Sequence, residues 1–325
     1  MHTLKTPPAA GQPRTFVDLA WMSARKLYER FIRSNTQQKL DHLTRVVDDL
    51  AARQKQDAKW RAIFRVQLEA LVRDAYLADS DLPSDRSLAL RRFRLRSQNE
   101  EDGLAIALLK AAGITNRTFV EIGSGGTGGN SAVLAFDLGW KGLMVDASSG
   151  ALRNLRNLLS SNPQVKFVRS FVTSENINDL LRDNGMTGEI DLMSIDIDSC
   201  DYWLLDALEA CSPRVLIMEY NSLFGPRRSV TLPNVPPPDS RPKGYSGASL
   251  TAIEKVAARK GYRLVICEEK GVNAFFLRND LAPSIPGLKA HQAYRAWVDR
   301  LGTTRTKDID VFALCEEHKL PLVEV

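Results

Sequence analysis

The 325-residue chain is poor in the residues that most often build metal and redox centres, with four cysteines and four histidines. Cys200, Cys211, Cys267 and Cys315 are scattered, with no C-x-x-C pair, which argues against a disulfide framework or a zinc site and suits a reducing compartment. His2, His42, His291 and His318 all fall outside residues 97–280, so a histidine base within that stretch is excluded. No apolar run approaches the roughly 20 residues that a membrane-spanning helix needs. Residues up to Arg14 carry no secretory apolar region, and a cytoplasmic location is the expectation. There is no Asn/Asp-Pro-Pro-Tyr/Phe motif for gripping an extruded base, so nucleic acid is not an expected partner.

The net charge of +5 is unevenly placed. Residues 1–96 hold 19 Lys and Arg against 11 Asp and Glu, whereas residues 97–325 hold 25 against 28. Pro7, Pro8 and Pro13, without periodicity around them, mark a disordered start. Phe16, Leu19, Ala20, Leu27 and Phe31 then share helical spacing, as do Leu40, Leu43, Val47 and Leu50, and later Ile63, Phe64, Leu68, Leu71 and Val72. Residues 1–85 are therefore expected to form a disordered start and an α-helical arm. The spacing leaves three roles open: a hairpin packed on the main domain, a coiled coil making a homo-oligomer, or a basic helix on a membrane surface.

From residue 86 the pattern changes. Arg91, Arg92, Arg94 and Arg96 alternate with Phe93 and Leu95, an extended segment whose basic face serves an anionic substrate or a plain surface edge. Ser97 and Glu100 form a capping-box pattern that predicts a helix from near Gln98 to Ala112. Apolar runs then predict strands at 119–122, 142–145, 165–172, 190–197 and 214–220, with helices at 132–138, 152–159, 177–183 and 202–211 between them. Such alternation implies an α/β, doubly wound parallel sheet. After a helix at 249–260, strands at 262–267 and 274–278 read as an antiparallel hairpin around Gly271. The expected fold is thus a seven-stranded Rossmann-like sheet over residues 86–280. A tail, 281–325, is expected to pack on it with helices near 291–301 and 311–318. Between strand five and the next helix, residues 222–247 make a Pro/Gly-rich insertion of a length that usually serves function or is disordered.

The chemistry-bearing residues stand at predicted strand ends, where open α/β sheets bind ligands. Thr118–Ser131 reads TFVEIGSGGTGGNS, a strand, a glycine turn and the start of a helix. Gly123, Gly125 and Gly128 satisfy G-x-G-x-x-G, which alone suggests a dinucleotide. Glu121 argues otherwise, because a carboxylate beside the loop repels a pyrophosphate and attracts the ammonium and sulfonium charges of S-adenosylmethionine (SAM). Asp146 ends strand two, where an acid accepts ribose hydroxyls. Asp196, Asp198 and Asp201 follow strand four in SIDIDSCDYW, and Glu219 and Asn221 end strand five in IMEYN. Acids that interrupt apolar strands need a partner, metal or ligand to offset desolvation.

On these residues the central stretch resembles class I SAM-dependent methyltransferases and, more narrowly, the FkbM type. SQNEEDG (97–103), FVEIGSGGTGGNS (119–131), GWKGLMVDAS (139–148), SENIND (174–179), SIDIDSCDYW (194–203), SPRVLIMEYN (212–221), SVTLP (229–233) and GVNAFFLR (271–278) carry the match. One departure is Ser199-Cys200, where relatives often have Gly-Asn. The resemblance implies that Glu121, Gly123 and Gly125 hold the methionine part of SAM, that Asp146 takes the ribose, that Phe171 borders the adenine, and that Asp196 joins the cofactor site. It also implies an acceptor hydroxyl on a sugar, polysaccharide or glycosylated metabolite. The 222–247 insertion, with Tyr220, Arg227, Arg228 and Tyr245, is the expected acceptor lid. The two arginines would favour an acidic or phosphorylated acceptor.

How the hydroxyl loses its proton stays open at this point. Asp196, Glu219 and Asn221 resemble the magnesium site of catechol-type O-methyltransferases, and Mg²⁺ would lower the hydroxyl pKa. Alternatively Asp198 or Asp201 acts as a metal-free base, or the acids only anchor the Tyr220 loop. Two other functions also stand: a SAM-binding scaffold without turnover, which the Ser199-Cys200 departure allows, and an NAD(P)-dependent oxidoreductase, against which Glu121 and the C-terminal hairpin count.

Overall fold

The computed structural model describes residues 88–89, 91–160, 162–235, 241–298 and 309–325. The expectations for residues 1–85, including oligomerisation and membrane contact, lie outside them. No helix among the described residues is long and apolar enough to cross a membrane.

The strands are β1 (Thr118–Ile122), β2 (Lys141–Asp146), β3 (Val165–Arg169), β4 (Gly188–Ile195), β5 (Cys211–Glu219), β6 (Val230–Thr231), β7 (Tyr262–Cys267), β8 (Asn273–Arg278) and β9 (Val323–Glu324). The helices are α1 (Glu101–Ala112), α2 (Ala132–Phe136), α3 (Ser149–Leu158), α4 (Ile177–Asp183), α5 (Asp201–Ala207), α6 (Leu250–Arg259), α7 (Ala290–Ala293) and α8 (Val311–Glu317). Seven strands form one sheet in the order β3-β2-β1-β4-β5-β8-β7. Its first five members run parallel, while β8 is antiparallel to both β5 and β7. This is the expected Rossmann-like methyltransferase sheet with its closing hairpin, and β6 and β9 pair separately.

Alternation along the central strands builds two apolar layers. Val120, Ile122, Met193, Ile195, Leu216 and Met218 face α4, α5 and α6. Phe119, Leu192, Val215 and Ile217 face the opposite side with α1, α2 and α3. Buried on both faces, these strands read as the continuous apolar runs that a covered parallel sheet requires. Strand order reverses between β1 and β4, so the loops leaving their carboxyl ends diverge and leave a crevice.

Several boundaries differ from expectation, among them these three. α1 begins at Glu101, because Ser97 and Glu100 do not form the capping box. Asp102 instead accepts the backbone amides of Leu95, Arg96 and Ser97 at 2.7, 2.7 and 3.0 Å. Glu100 is drawn to Arg92 at 2.8 Å and to the Glu269 amide at 2.8 Å. α5 ends at Ala207, and Cys211 already belongs to β5. In the tail, where a helix is expected at 291–301, the described residues hold only the four-residue α7, and 299–301 lie outside them. α8 packs with Phe224, Val230, Leu232 and Tyr245 into a small third cluster that fixes much of the insertion.

Candidate active site

A cavity of about 930 Å³ opens at the carboxyl ends of β1, β2 and β4, near the upper end of the roughly 300–1,000 Å³ typical of ligand pockets. Gly123, Ser124, Gly125, Asp146, Phe171, Asp196 and Asp198 line it, facing a wall that includes Arg94, Asn99, Lys270 and Trp297. Gly123 makes this closeness feasible. Its φ is +89°, and a Cβ there would lie 1.7 Å from the Asp196 carbonyl oxygen, so any side chain would push β1 and β4 apart. The Gly125 amide donates to Asp146 Oδ2 at 2.8 Å, and the Ser148 amide donates to Oδ1 at 2.7 Å. Each carboxylate oxygen of Asp146 keeps acceptor capacity for a diol. Phe171 leaves about half of its surface exposed at the cavity. Ser124 is buried on the lining, and its hydroxyl has no partner among the described residues.

The acids sort into distinct roles. Asp196 is partly exposed to the cavity, and its carboxyl is raised well above the usual range by burial and by the neighbouring charges of Asp201, Glu121 and Asp198. Glu219 hydrogen-bonds it and is raised likewise, by burial and then by Asp196. None of Glu121, Asp196, Asp198, Asp201 and Glu219 forms an ion pair among the described residues. Asp198 is exposed on the lining at φ +57°, a conformation that Asp tolerates better than most residues. Its amide donates to Glu219 Oε2 at 3.1 Å, and its carbonyl accepts from Arg241. Ser199 and Cys200 are not in the left-handed region, so the departure from Gly-Asn needs no strained backbone.

Several residues expected at the site lie off the cavity lining. Asp201 is buried off the cavity wall, its oxygens accepting the Ile197 and Ser199 amides at 2.8 and 3.0 Å. Burial raises its carboxyl to about 6. It shapes the 197–199 turn and does not reach the cavity as a base. Glu121 also lies behind the wall, fully buried, accepting the Asn130 and Ser131 amides at 3.1 and 2.8 Å, with burial pushing it up to about 7. It braces the glycine turn, and its charge acts on the cavity from behind. A magnesium triad of Asp196, Glu219 and Asn221 does not fit. Asn221 Oδ1 caps the Leu223 amide at 3.0 Å, and its Nδ2 holds the Gly244 and Ser246 carbonyls at 2.8 and 2.9 Å. Among the described residues no group of three or more His, Cys, Asp or Glu is arranged to hold a metal ion. Three of the lid residues, Tyr220, Tyr245 and Arg228, are also committed. The hydroxyls of Tyr220 and Tyr245 donate to the Arg295 and Pro321 carbonyls at 2.9 and 2.7 Å. Arg228 pairs with Glu324 at 3.0 Å, and neither it nor Arg227 lines the cavity.

A polar chain beneath the cavity was not assigned from sequence. Asn130 donates to Ser194 Oγ at 3.1 Å, Asn273 Oδ1 at 3.4 Å and Asp196 Oδ2 at 3.5 Å. Asn273 donates onward to Glu101 Oε1 at 3.1 Å, and Glu101 accepts the Asn99 amide at 2.7 Å. The wall at Asn99 is thereby linked through Glu101, Asn273 and Asn130 to Ser194. Asn130, Asn273 and Glu101 lie within the quoted motifs, but only the sheet brings them together.

No protein-family model matches the chain, and no curated protein matches it. Among solved structures it is similar to a ribosomal protein L11 methylase from Lactobacillus delbrueckii subsp. bulgaricus, at 16% identity over 55% of this chain and 80% of that one, with a TM-score of 0.35. It is also similar to an O-methyltransferase from Bacillus cereus in complex with SAH, at 13% identity over 66% and 87% of the two chains, with a TM-score of 0.35. A third is a precorrin-6y C5,15-methyltransferase from Geobacter metallireducens GS-15, at 14% identity over 57% and 91%, with a TM-score of 0.36. Likeness at this level extends no further than the fold.

Proposed function

We propose that the chain is a SAM-dependent O-methyltransferase acting on a hydroxyl of a sugar, polysaccharide or glycosylated metabolite. The observation that carries this reading is the acid floor beside the glycine turn. Asp196 is raised by burial and by three neighbouring acids, and no cation among the described residues pairs with it. A cationic cofactor relieves that repulsion, whereas the pyrophosphate of NAD(P) adds to it. Asp146 has acceptor capacity for the ribose, the Gly123–Gly125 turn leaves room for close approach, and the exposed ring of Phe171 offers a face to the adenine. The sugar acceptor rests on the resemblance of residues 97–280.

Bound there, SAM supplies a methyl group on a positively charged sulfur that leaves readily. The chain contributes orientation and proton removal. Asp198 is the base of this reading, because its side chain is exposed on the lining while Asp201 is spent on backbone amides. Asp196 holds the cationic end, and Glu219 hydrogen-bonds it.

Thermal shift and calorimetry with SAH and NAD⁺ in parallel, followed by radiolabelled methyl transfer to a panel of hydroxyl acceptors, test the reading. Saturating SAH is expected to stabilise the chain by about 2.7 kcal/mol at one hundred times its Kd, with no response to NAD⁺. A response to NAD⁺ alone overturns it. SAH binding without methyl transfer to any acceptor would favour the scaffold function.

A further inference from the structure

The cavity carries both signs of charge on different elements. Its acids sit at the carboxyl ends of β2 and β4, whereas its cations come from the segment before α1 and from the β7–β8 turn. These two cationic elements are tied together. Arg92 donates to the Cys267 carbonyl at 2.8 Å and pairs with Glu100, which also accepts the Glu269 amide at 2.8 Å. They therefore form one wall.

Not every cation on that wall is free to act. Arg92 is spent on this bracing, and Arg96 is held by Asp137 through bonds of 2.8 and 2.6 Å. Arg94 differs. It is exposed on the cavity lining, its Nε donates to the Ser97 carbonyl at 3.0 Å, and it makes no ion pair among the described residues. Lys270 is half-buried on the same lining. Its backbone amide binds Glu268 and its carbonyl accepts the Val298 amide, while its ammonium has no acidic partner among the described residues. A guanidinium fork and an ammonium on one concave wall are a receptor for a carboxylate or phosphate.

We propose that Arg94 and Lys270 bind an anionic group of the acceptor, so that the substrate class is an acidic sugar, carrying a carboxylate or a phosphate ester. The proposal rests on the methyltransferase reading, in which the acid floor takes the cofactor. It relocates the preference for an acidic acceptor from Arg227 and Arg228 to residues that line the cavity.

The test uses the full chain, with and without SAH, at constant ionic strength. Glucuronate, glucose 6-phosphate and glucose are titrated by ligand-observed NMR into the wild type, R94A/K270A and the charge-conserving R94K/K270R. At least one anion is expected to bind about tenfold more tightly than glucose. That preference should vanish in R94A/K270A, survive in R94K/K270R, and leave SAH affinity within about twofold. The proposal is overturned if neither anion is preferred, or if the preference persists in R94A/K270A. It is equally overturned if SAH affinity falls about tenfold there, which would assign the wall to the cofactor's own carboxylate. Failure of the wild type to bind SAH would instead strike the methyltransferase reading, because the anion preference is read without SAH as well.

Discussion

At the N-terminal end of β4, acids are surrounded by donors. Asp191 accepts the amides of Thr115, Asn116 and Arg117 at 2.8, 3.0 and 2.6 Å, and the Thr115 hydroxyl at 3.1 Å. Glu189 sits between Arg278 and Arg214 at 2.6 and 2.9 Å, and its carboxyl is held below the usual range, chiefly by the hydrogen bond from Arg278. At the C-terminal end of the same strand, Asp196 faces Glu219, Asp198 and Asp201, with no cation paired to it among the described residues. One strand thus carries acids at both ends in opposite states of compensation. Acid content does not distinguish a ligand site from a structural clamp, whereas the count of donors around each carboxylate does.

The largest effect expected at the uncompensated end is on turnover. Asp198→Asn keeps a residue that tolerates the left-handed backbone, so the turn should survive. Methyl transfer should fall by about 10² to 10⁴, with SAH affinity nearly unchanged. A variant retaining activity within tenfold of wild type removes Asp198 as the base.

Stability should separate the two ends next. Asp191→Ala takes the buried acceptor away from three backbone amides and should cost about 3 kcal/mol in chemical denaturation, with SAH affinity intact. Asp196→Asn removes a repelled charge, so the unliganded chain should melt at a higher temperature while SAM binding weakens about tenfold. If both substitutions lower the melting temperature alike, the contrast between the ends is lost.

The same contrast explains what could be read from the chain beforehand. Strand order and the hairpin were legible because apolar runs, glycine turns and alternation are local signals, and α4 and β7 fall where periodicity predicted them. Asp146, Asp196 and Asp198 were legible as polar residues at strand ends, and all three line the cavity. What sequence could not separate was an acid aimed into the cavity from one aimed at backbone. Asp198 and Asp201 stand three residues apart, yet the first turn of α5 directs the latter onto the Ile197 and Ser199 amides. Asn221 likewise looked like a ligand because its commitments lie in the loop at Gly244 and Ser246. Arg94 and Arg96 share one repeat, and only the partner on α2's far end, Asp137, tells the spent cation from the available one. The α1 boundary was missed for a related reason, since Arg92 withdraws Glu100 from its cap.

A smaller effect, of a few fold, follows from titration. Burial raises Asp201 from 3.8 to about 6 and Glu121 from 4.5 to about 7 in the folded chain. Between those limits the native state holds protons that the unfolded state has lost, so stability falls as pH rises. These two acids give their full stabilisation below about pH 4 and lose it progressively through pH 6 to 7. Glu189 acts in the opposite sense, since its lowered carboxyl stabilises above the ordinary carboxylate range and fails only in acid. The unliganded chain should therefore melt at lower temperature at pH 8 than at pH 5.5. A bound cation reverses the trend at the uncompensated end, because it favours the ionised acids and releases their protons. SAM affinity should rise a few fold over the same interval, and calorimetry in buffers of different ionisation enthalpy should register proton release. Affinity that is flat or falling with pH, without proton release, would mean that the acid floor does not face the cofactor's positive charge.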